Sequence, residues 1–309
     1  MTSKGPYNLP SDAVWLITGS SAGMGLALAK LIAAHPTNRL VATARNLSKL
    51  AQVLPIDSPR VLTVALDVTD EESIASALDS ALKTFGRIDV FVNNAGFGLL
   101  GDAESALQPE DKAKARSVME TNYWGTVNVT LQALRVLRDE NPKTGQQGGV
   151  ILNVTSVGGF SAYPGNAFYH AAKFAVEGFT LGISKDVRPD WNIHLCIMQP
   201  GGTKTDFLGE GLGLLSPHPA YKAPDTPARF IEAWLKAPGT RETFVSAESA
   251  AEAMYRTVSR GKAIPDRVPT DYSSWKTIRE EAENIGRGLD GVKELGLWDE
   301  SSPLVIIPE

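Results

Sequence analysis

Short, nearly unbroken apolar runs alternate along the chain with longer stretches in which apolar residues recur every three or four positions. AVWLIT (13–18), RLVATA (39–44), RVLTVAL (60–66), IDVFVN (88–93), GVILNVT (149–155) and NIHLCIM (192–198) have strand length. A strand with one wet face alternates apolar with polar residues, so continuous apolarity predicts strands covered on both faces. Helical spacing falls near 23–34, 70–84, 110–140 and 167–188, the last stopped by Pro189, which cannot continue a helix. Alternation of the two patterns predicts an α/β fold with a doubly wound parallel sheet and helices on both faces.

The pattern changes at two places. NPKTGQQGG (141–149) is turn-rich and predicts a surface loop before a strand. From about 202 to 240 Gly, Pro and apolar residues mix around an amphipathic turn, ARFIEAWLKA. A long, partly apolar loop of this kind predicts a mobile substrate loop. SAESAAEAMYRTVSRG, KAIPDRVP and DYSSWKTIREEAENI then read as helix, short strand and helix. The whole chain, 1–309, is expected to form one domain, with a cofactor half over about 12–145 and a catalytic and substrate half over about 146–309.

Composition narrows the function. Apolar residues make up 43% and charged residues 21% of the 309, a globular balance. A net charge of -5, with no basic cluster, argues against nucleic acid as a partner. Cys196 is the sole cysteine, so an intramolecular disulfide is excluded, and a small buried strand residue is expected there. No apolar run reaches the roughly 18 residues of a membrane span, and the polar start MTSKGPYNLPSD has no signal-like apolar core. A cytoplasmic protein without a membrane partner is the expectation.

The candidate chemistry sits at strand ends. TGSSAGMG, Thr18 to Gly25, follows the first strand and opens a helix. Gly19, Gly23 and Gly25 allow a tight turn and close backbone approach, while the helix N-terminus favours an anion; the context predicts a Rossmann-type dinucleotide site. Thr18, Ser21 and Met24 belong to the same loop. After the second strand, Arg45 stands where a carboxylate would hold an unphosphorylated ribose, so NADP(H) is expected over NAD(H). Asp67, past the third strand, can accept from an adenine amino group or cap the helix that follows.

In SAYPGNAFYHAAKFAVEGF, Tyr169 and Lys173 are four apart and share a helix face. Alone the pair would pass for an ordinary amphipathic turn. TGSSAGMG, NNAG, NVTS, YHAAK and QPGGTKT in this order, however, over about residues 12–270, resemble the short-chain dehydrogenase/reductase family. Finer features are similar to its 17β-hydroxysteroid dehydrogenase-like branch, with a C-terminal segment too altered to imply a steroid. The resemblance implies a catalytic set of Asn122, Ser156, Tyr169 and Lys173, and a cofactor site that adds Asn93, Ala95, Gly96, Pro200, Gly201, Gly202, Thr203 and Thr205 to the Gly-rich loop. By it, Asn122 interrupts its helix and supports a water, Asn93 and Gly96 line the cofactor side and stabilise the central sheet, Ser156 donates to the substrate oxygen, and Lys173 holds ribose hydroxyls. A free phenol has a pKa of about 10, and a neighbouring ammonium is expected to lower it toward acid–base work.

Phe97, Leu99, Val157, Gly158, Phe160, Tyr163 and Phe168 are candidates to surround the reacting carbon, with a substrate loop over Phe207 to about Pro238. This apolar set predicts a small hydrophobic carbonyl compound or its alcohol, such as a ketoreductase of secondary metabolism would take. A redox-neutral epimerase or cyclase and a non-catalytic NADP(H)-binding regulator are the alternatives. The four histidines show no metal-ligand spacing, so no metal is expected. His170 is expected to pack rather than react, and the family resemblance implies a homodimer or homotetramer.

Overall fold

The computed structural model describes residues 5–205, 209, 211–292 and 295. Seven strands, β1 (Val14–Ile17), β2 (Arg39–Ala44), β3 (Val61–Ala65), β4 (Val90–Asn93), β5 (Gly149–Val154), β6 (Ile193–Gln199) and β7 (Arg267–Pro269), form one parallel sheet. Their order is β3-β2-β1-β4-β5-β6-β7. Chain direction across the sheet reverses between β1 and β4, which leaves a crevice at their carboxyl ends. Leu16 sits in register between Val41 and Phe91 at that junction.

The six strands expected from apolar runs are all present, and the short strand in KAIPDRVP is β7. Alternate residues feed two separate cores, as a strand's period of two requires. Trp15 and Ile17 pack with Leu28, Ile32 and Met254 from α1 (Gly23–Ala34) and α8 (Ala247–Ser259). Val14, Leu16 and Phe91 pack on the other face with residues of α3 (Glu71–Phe85) and α5 (Gly125–Arg135). A short α2 (Leu47–Val53), capped by Asn46, was not expected.

The helix expected over 110–140 is broken twice. It runs as α4 (Pro109–Met119), a π-type turn at Glu120–Trp124, α5, and a second π-type turn at Val136–Glu140. The loop that follows is not purely surface. Asn141 is buried, accepts from Ile88 N at 3.2 Å and donates to the carbonyls of Ile88 and Gly148. One buried amide thus replaces the ladder bonds that irregular backbone lacks. The helix expected over 167–188 is α6 (Ala167–Asp186).

The segment expected as a loop over about 202–240 contains regular structure instead. Thr203–Lys204 pairs with Val245–Ser246, Leu212–Leu214 pairs with Gly98–Leu100, and α7 spans Pro227–Lys236. Two buried carboxylates fasten it: Asp111 Oδ2 accepts from Ser216 N and Asp102 Oδ2 from His218 N, each at 3.1 Å. Phe207, the expected start of the substrate loop, lies outside the described residues. A C-terminal α9 (Tyr272–Gly291) completes the described chain up to residue 291. Among the described residues no helix is long and apolar enough to cross a membrane.

At the opposite edge from the crevice, Asp89 is fully buried and ties β4 to β1. Its Oδ2 accepts from Val14 N at 2.8 Å, and Arg87 Nε lies 3.1 Å from both oxygens. Burial pushes this carboxyl up, against the pull of the Val14 N–H and Arg87. Asp89→Ala leaves the Val14 N–H unpaired and should cost about 2 kcal/mol of unfolding free energy, measured by denaturant titration. A loss below about 0.5 kcal/mol, the range of an ordinary surface change, would contradict this anchoring role.

Candidate active site

The Gly-rich loop crosses the crevice between β1 and β4. Gly19 has φ +71° and Gly23 φ +54°, values that favour glycine. A Cβ on Gly25 would run into Gly19 O and Asn94 Nδ2, and one on Gly23 would lie 3.2 Å from Thr205 Cγ2. The loop is bolted to β4: Thr18 Oγ1 accepts from Asn94 N and Ala95 N, and Asn94 Nδ2 donates to Thr18 O at 2.9 Å. Asn94 is the side chain that holds the loop. Ser21 and Met24 are half-buried on its rim.

Ala22 precedes α1 without a side-chain cap, and the first turn of that helix carries no acid. Its N–H groups and positive dipole end therefore face the crevice unneutralised. Arg45, just past β2, is exposed and has no ion-pair partner among the described residues. Asp67 is half-buried past β3, where its Oδ1 accepts from Thr69 N and Thr69 Oγ1. It does not cap α3; Asp70 does, accepting from Glu72 N and Ser73 N.

Asn93 was expected both to line the cofactor side and to stabilise the central sheet, and its side-chain contacts serve the sheet. It is buried inside the layer, donating to Thr130 Oγ1 at 3.0 Å and Asn153 Oδ1 at 2.8 Å. Gly96 is exposed, and a Cβ there would lie 2.9 Å from Asn122 Oδ1 and 3.7 Å from Lys173 Nζ. Asn122 stands in the first π-type turn. Its amide pairs twice with the Phe97 backbone, accepting from N at 3.0 Å and donating to O at 2.8 Å, while its carbonyl accepts from Thr126 Oγ1. The side chain thus fixes the strand end that leads from NNAG toward the substrate side.

Ser156 caps a short turn after β5, where its Oγ accepts from Gly158 N at 3.0 Å. Its hydroxyl also bonds the Tyr169 phenol. Lys173, one turn along α6 and buried, donates to Val154 O at 2.9 Å and places Nζ 5.8 Å from the Tyr169 ring centre. Burial pushes the phenol up to about 12, and the Ser156 bond pulls it down. Burial also pushes the Lys173 ammonium down to about 8. The expected lowering of the phenol by the ammonium is therefore absent in this state: withdrawal from water governs both groups. His170 packs, as expected, against Tyr163 and Tyr169 with Nδ1 3.2 Å from Ser161 O.

Beyond β6, Pro200 O accepts from Val157 N at 2.8 Å, which joins the Pro200–Gly201 turn to the serine turn. Gly201 N donates to Asp271 Oδ2 at 2.9 Å, and Asp271 also caps α9 through Ser274. Thr203 and Thr205 follow, with Arg241 donating to Thr205 O. A cavity of about 310 Å³ opens beside Gly23 and Thr205 between Lys30, Lys204, Arg241 and Glu248. Of the apolar candidates, Leu99 is core, packed with Val118 and Leu215, and Phe97 and Phe168 lean on that cluster. Sequence reading missed Asp271 and Glu177, although the D-x-x-S cap signature and the Tyr169-Lys173-Glu177 spacing of four both mark them. Among the described residues no His, Cys, Asp and Glu cluster could hold a metal.

This geometry has relatives. Residues 13–211 match the sequence profile of the short chain dehydrogenase family. The oxidoreductase calM of Penicillium decumbens is 40% identical over 297 residues, 95% of each chain. A short-chain dehydrogenase from Streptomyces avermitilis superposes with a TM-score of 0.75 at 26% identity, covering 92% of this chain and 98% of that one. The 3-ketoacyl-(acyl-carrier-protein) reductase of Brucella melitensis, solved with NADH, superposes with a TM-score of 0.65 at 25% identity over 83% and 96% of the chains. The chain belongs to the short-chain dehydrogenase/reductase family and is an NAD(P)-dependent oxidoreductase acting on CH–OH or C=O groups.

Proposed function

We propose that the protein uses NADP(H) to reduce a ketone or aldehyde of a small hydrophobic molecule to the alcohol, or the reverse. The observation that carries this reading is the contact of Ser156 with the Tyr169 phenol, one helical turn from buried Lys173. The glycine cradle, the uncapped start of α1 and exposed Arg45 fit a dinucleotide with a 2′-phosphate. Such a cofactor, when bound, supplies the hydride. Thr18, Gly19, Ser21, Gly23, Met24 and Gly25 would hold its pyrophosphate side, Ala95 and Gly96 the ribose side, and Pro200, Gly201, Thr203 and Thr205 the carboxamide side. Asp67, past β3, would accept from the adenine amino group.

Tyr169 is the proton donor in reduction. A phenol pushed up to about 12 keeps its proton at neutral pH and gives it to the substrate oxygen as negative charge develops there. Ser156 Oγ donates to the same oxygen, which lowers the cost of that charge. The Lys173 ammonium stabilises the phenolate left behind, and Asn122 holds the Phe97 backbone on the substrate side. Phe97, Val157, Phe160 and Phe168, all half-buried around these groups, favour a lipophilic substrate. A homodimer or homotetramer through the 110–140 helix and α6 is supported by Trp124, Leu131 and Phe174, which are 48%, 49% and 44% exposed there.

Three outcomes follow for purified protein assayed with NADPH and a panel of lipophilic ketones and aldehydes. Tyr169→Phe should lose turnover by about 10²–10⁴-fold while still binding NADPH, the scale of a lost general acid; unchanged turnover would remove the assignment. Arg45→Asp should move the ratio of NADPH to NADH affinity toward NADH by about tenfold or more, the loss of one charge-assisted contact; an unchanged ratio would remove the 2′-phosphate reading. Lys173 carries its charge below about 8 and loses it above, so kcat/KM for reduction should fall as pH rises through that value. A profile flat to the ordinary lysine value of about 10.4 would show that the ammonium is not displaced.

A further inference from the structure

Glu177 lies on α6 one turn beyond Lys173 and is 3% exposed. Its Oε1 accepts from Gln199 Nε2 at 2.8 Å and from Thr155 Oγ1 at 3.1 Å, a hydroxyl that lies equally close to Met198 O, and its Oε2 accepts from Arg267 Nε at 3.2 Å. Each donor adjoins a different part of the site. Thr155 immediately precedes Ser156, and Gln199 immediately precedes the Pro200–Gly201 turn. Arg267 opens β7 and lies 5.9 Å from the ring centre of Phe160, in the turn after the serine. That turn is seated on the carboxylate itself, since a Cβ on Gly159 would come 2.6 Å from Glu177 Oε1.

An ionised carboxylate is a pure acceptor, so it can satisfy at once three donors, from just past the end of β5, from β6 and from β7. A glutamine has one acceptor oxygen, and its amide would turn donor against donor at one of the three contacts. Burial pushes the Glu177 carboxyl up, while Gln199, Arg267 and Thr155 pull it down. The remaining oxygen of Gln199 is buried without a hydrogen bond, so the Glu177 contact accounts for its orientation.

We propose that Glu177 is a positioning residue for hydride transfer, setting Ser156 and the Pro200–Gly201 turn in register with Tyr169 and Lys173 on its own helix. The inference rests on the reductase reading. It assigns the relative placement of the substrate-oxygen donor and the carboxamide turn, carried by β5 and β6, to one buried charge on α6. A displacement of about 1 Å at a reacting centre is enough to cost on the order of a hundredfold in rate.

The test compares wild type, Glu177→Gln and Thr155→Val, with NADPH and its 4,4-dideuterated form and a ketone that the wild type reduces. Glu177→Gln should lower kcat about 30-fold, with the NADPH Kd changed by less than about threefold, the signature of lost transition-state geometry rather than lost binding. The deuterium isotope effect on kcat should rise as hydride transfer becomes slower than release. Thr155→Val, isosteric and outside the contacts to the reacting groups, should lower kcat about tenfold, and the double variant should be no worse than Glu177→Gln alone, as expected of one shared contact. A lowered melting temperature with wild-type kcat in Glu177→Gln would overturn the proposal. So would wild-type kcat in Thr155→Val, which remains decisive if Glu177→Gln does not fold. Absence of turnover in the wild type would instead bring down the reductase reading and, with it, this proposal.

Discussion

A buried ammonium needs a partner, and Lys173 finds one in the carbonyl of Val154 at the last position of β5. That bond fixes α6 against the strand end from which Ser156 emerges two residues later. Tyr169, on the preceding turn of the same helix, is thereby brought to the serine hydroxyl. The cost of keeping an amine away from water appears in its own acidity, pushed down to about 8. A cation so poised gains the most from a neighbouring anion, which is the charge that a deprotonated Tyr169 would supply.

The parallel sheet puts every part of the site at one edge. Parallel strands all present their carboxyl ends on the same side, and the reversal between β1 and β4 opens room there for an extended cofactor. Short polar contacts then lock neighbouring turns together: Asn94 holds the glycine loop, Pro200 O receives Val157 N, and Asp271 receives Gly201 N. Glu177 lies beneath this set, so rigidity at the reacting groups comes from buried acceptors rather than from the turns themselves. On the substrate side, Asp102 and Asp111 play a similar part, holding residues 216 and 218 to the segment that follows NNAG.

Much of this was legible in the chain because burial on both faces forces continuous apolarity on a strand. All six long runs became strands, and the strand-to-helix position of TGSSAGMG located the crevice. Helix interruption was carried by resemblance alone, since nothing in the periodicity of 110–140 marks the π-type turn that holds Asn122. The segment 202–240 misled because its short strands are two or three residues long, below the length at which alternation is visible. Its fastening depends on carboxylates about a hundred residues away. The sheet role of Asn93 was carried by resemblance, while its partners Thr130 and Asn153, which lie on other elements and pair with it inside the layer, have no mark in the sequence. The acidity of Tyr169 could not be inferred from Lys173 because spacing shows proximity but not the water lost on burial.

Transfer of the label from NADPH carrying deuterium in both positions at the reactive carbon of its nicotinamide tests the central claim most directly. The product of a lipophilic ketone would be examined by proton and deuterium NMR. The account predicts one deuterium on the carbinol carbon for each cofactor oxidised, with solvent hydrogen on the oxygen alone. Product formed without label, or without oxidation of the cofactor, would contradict it.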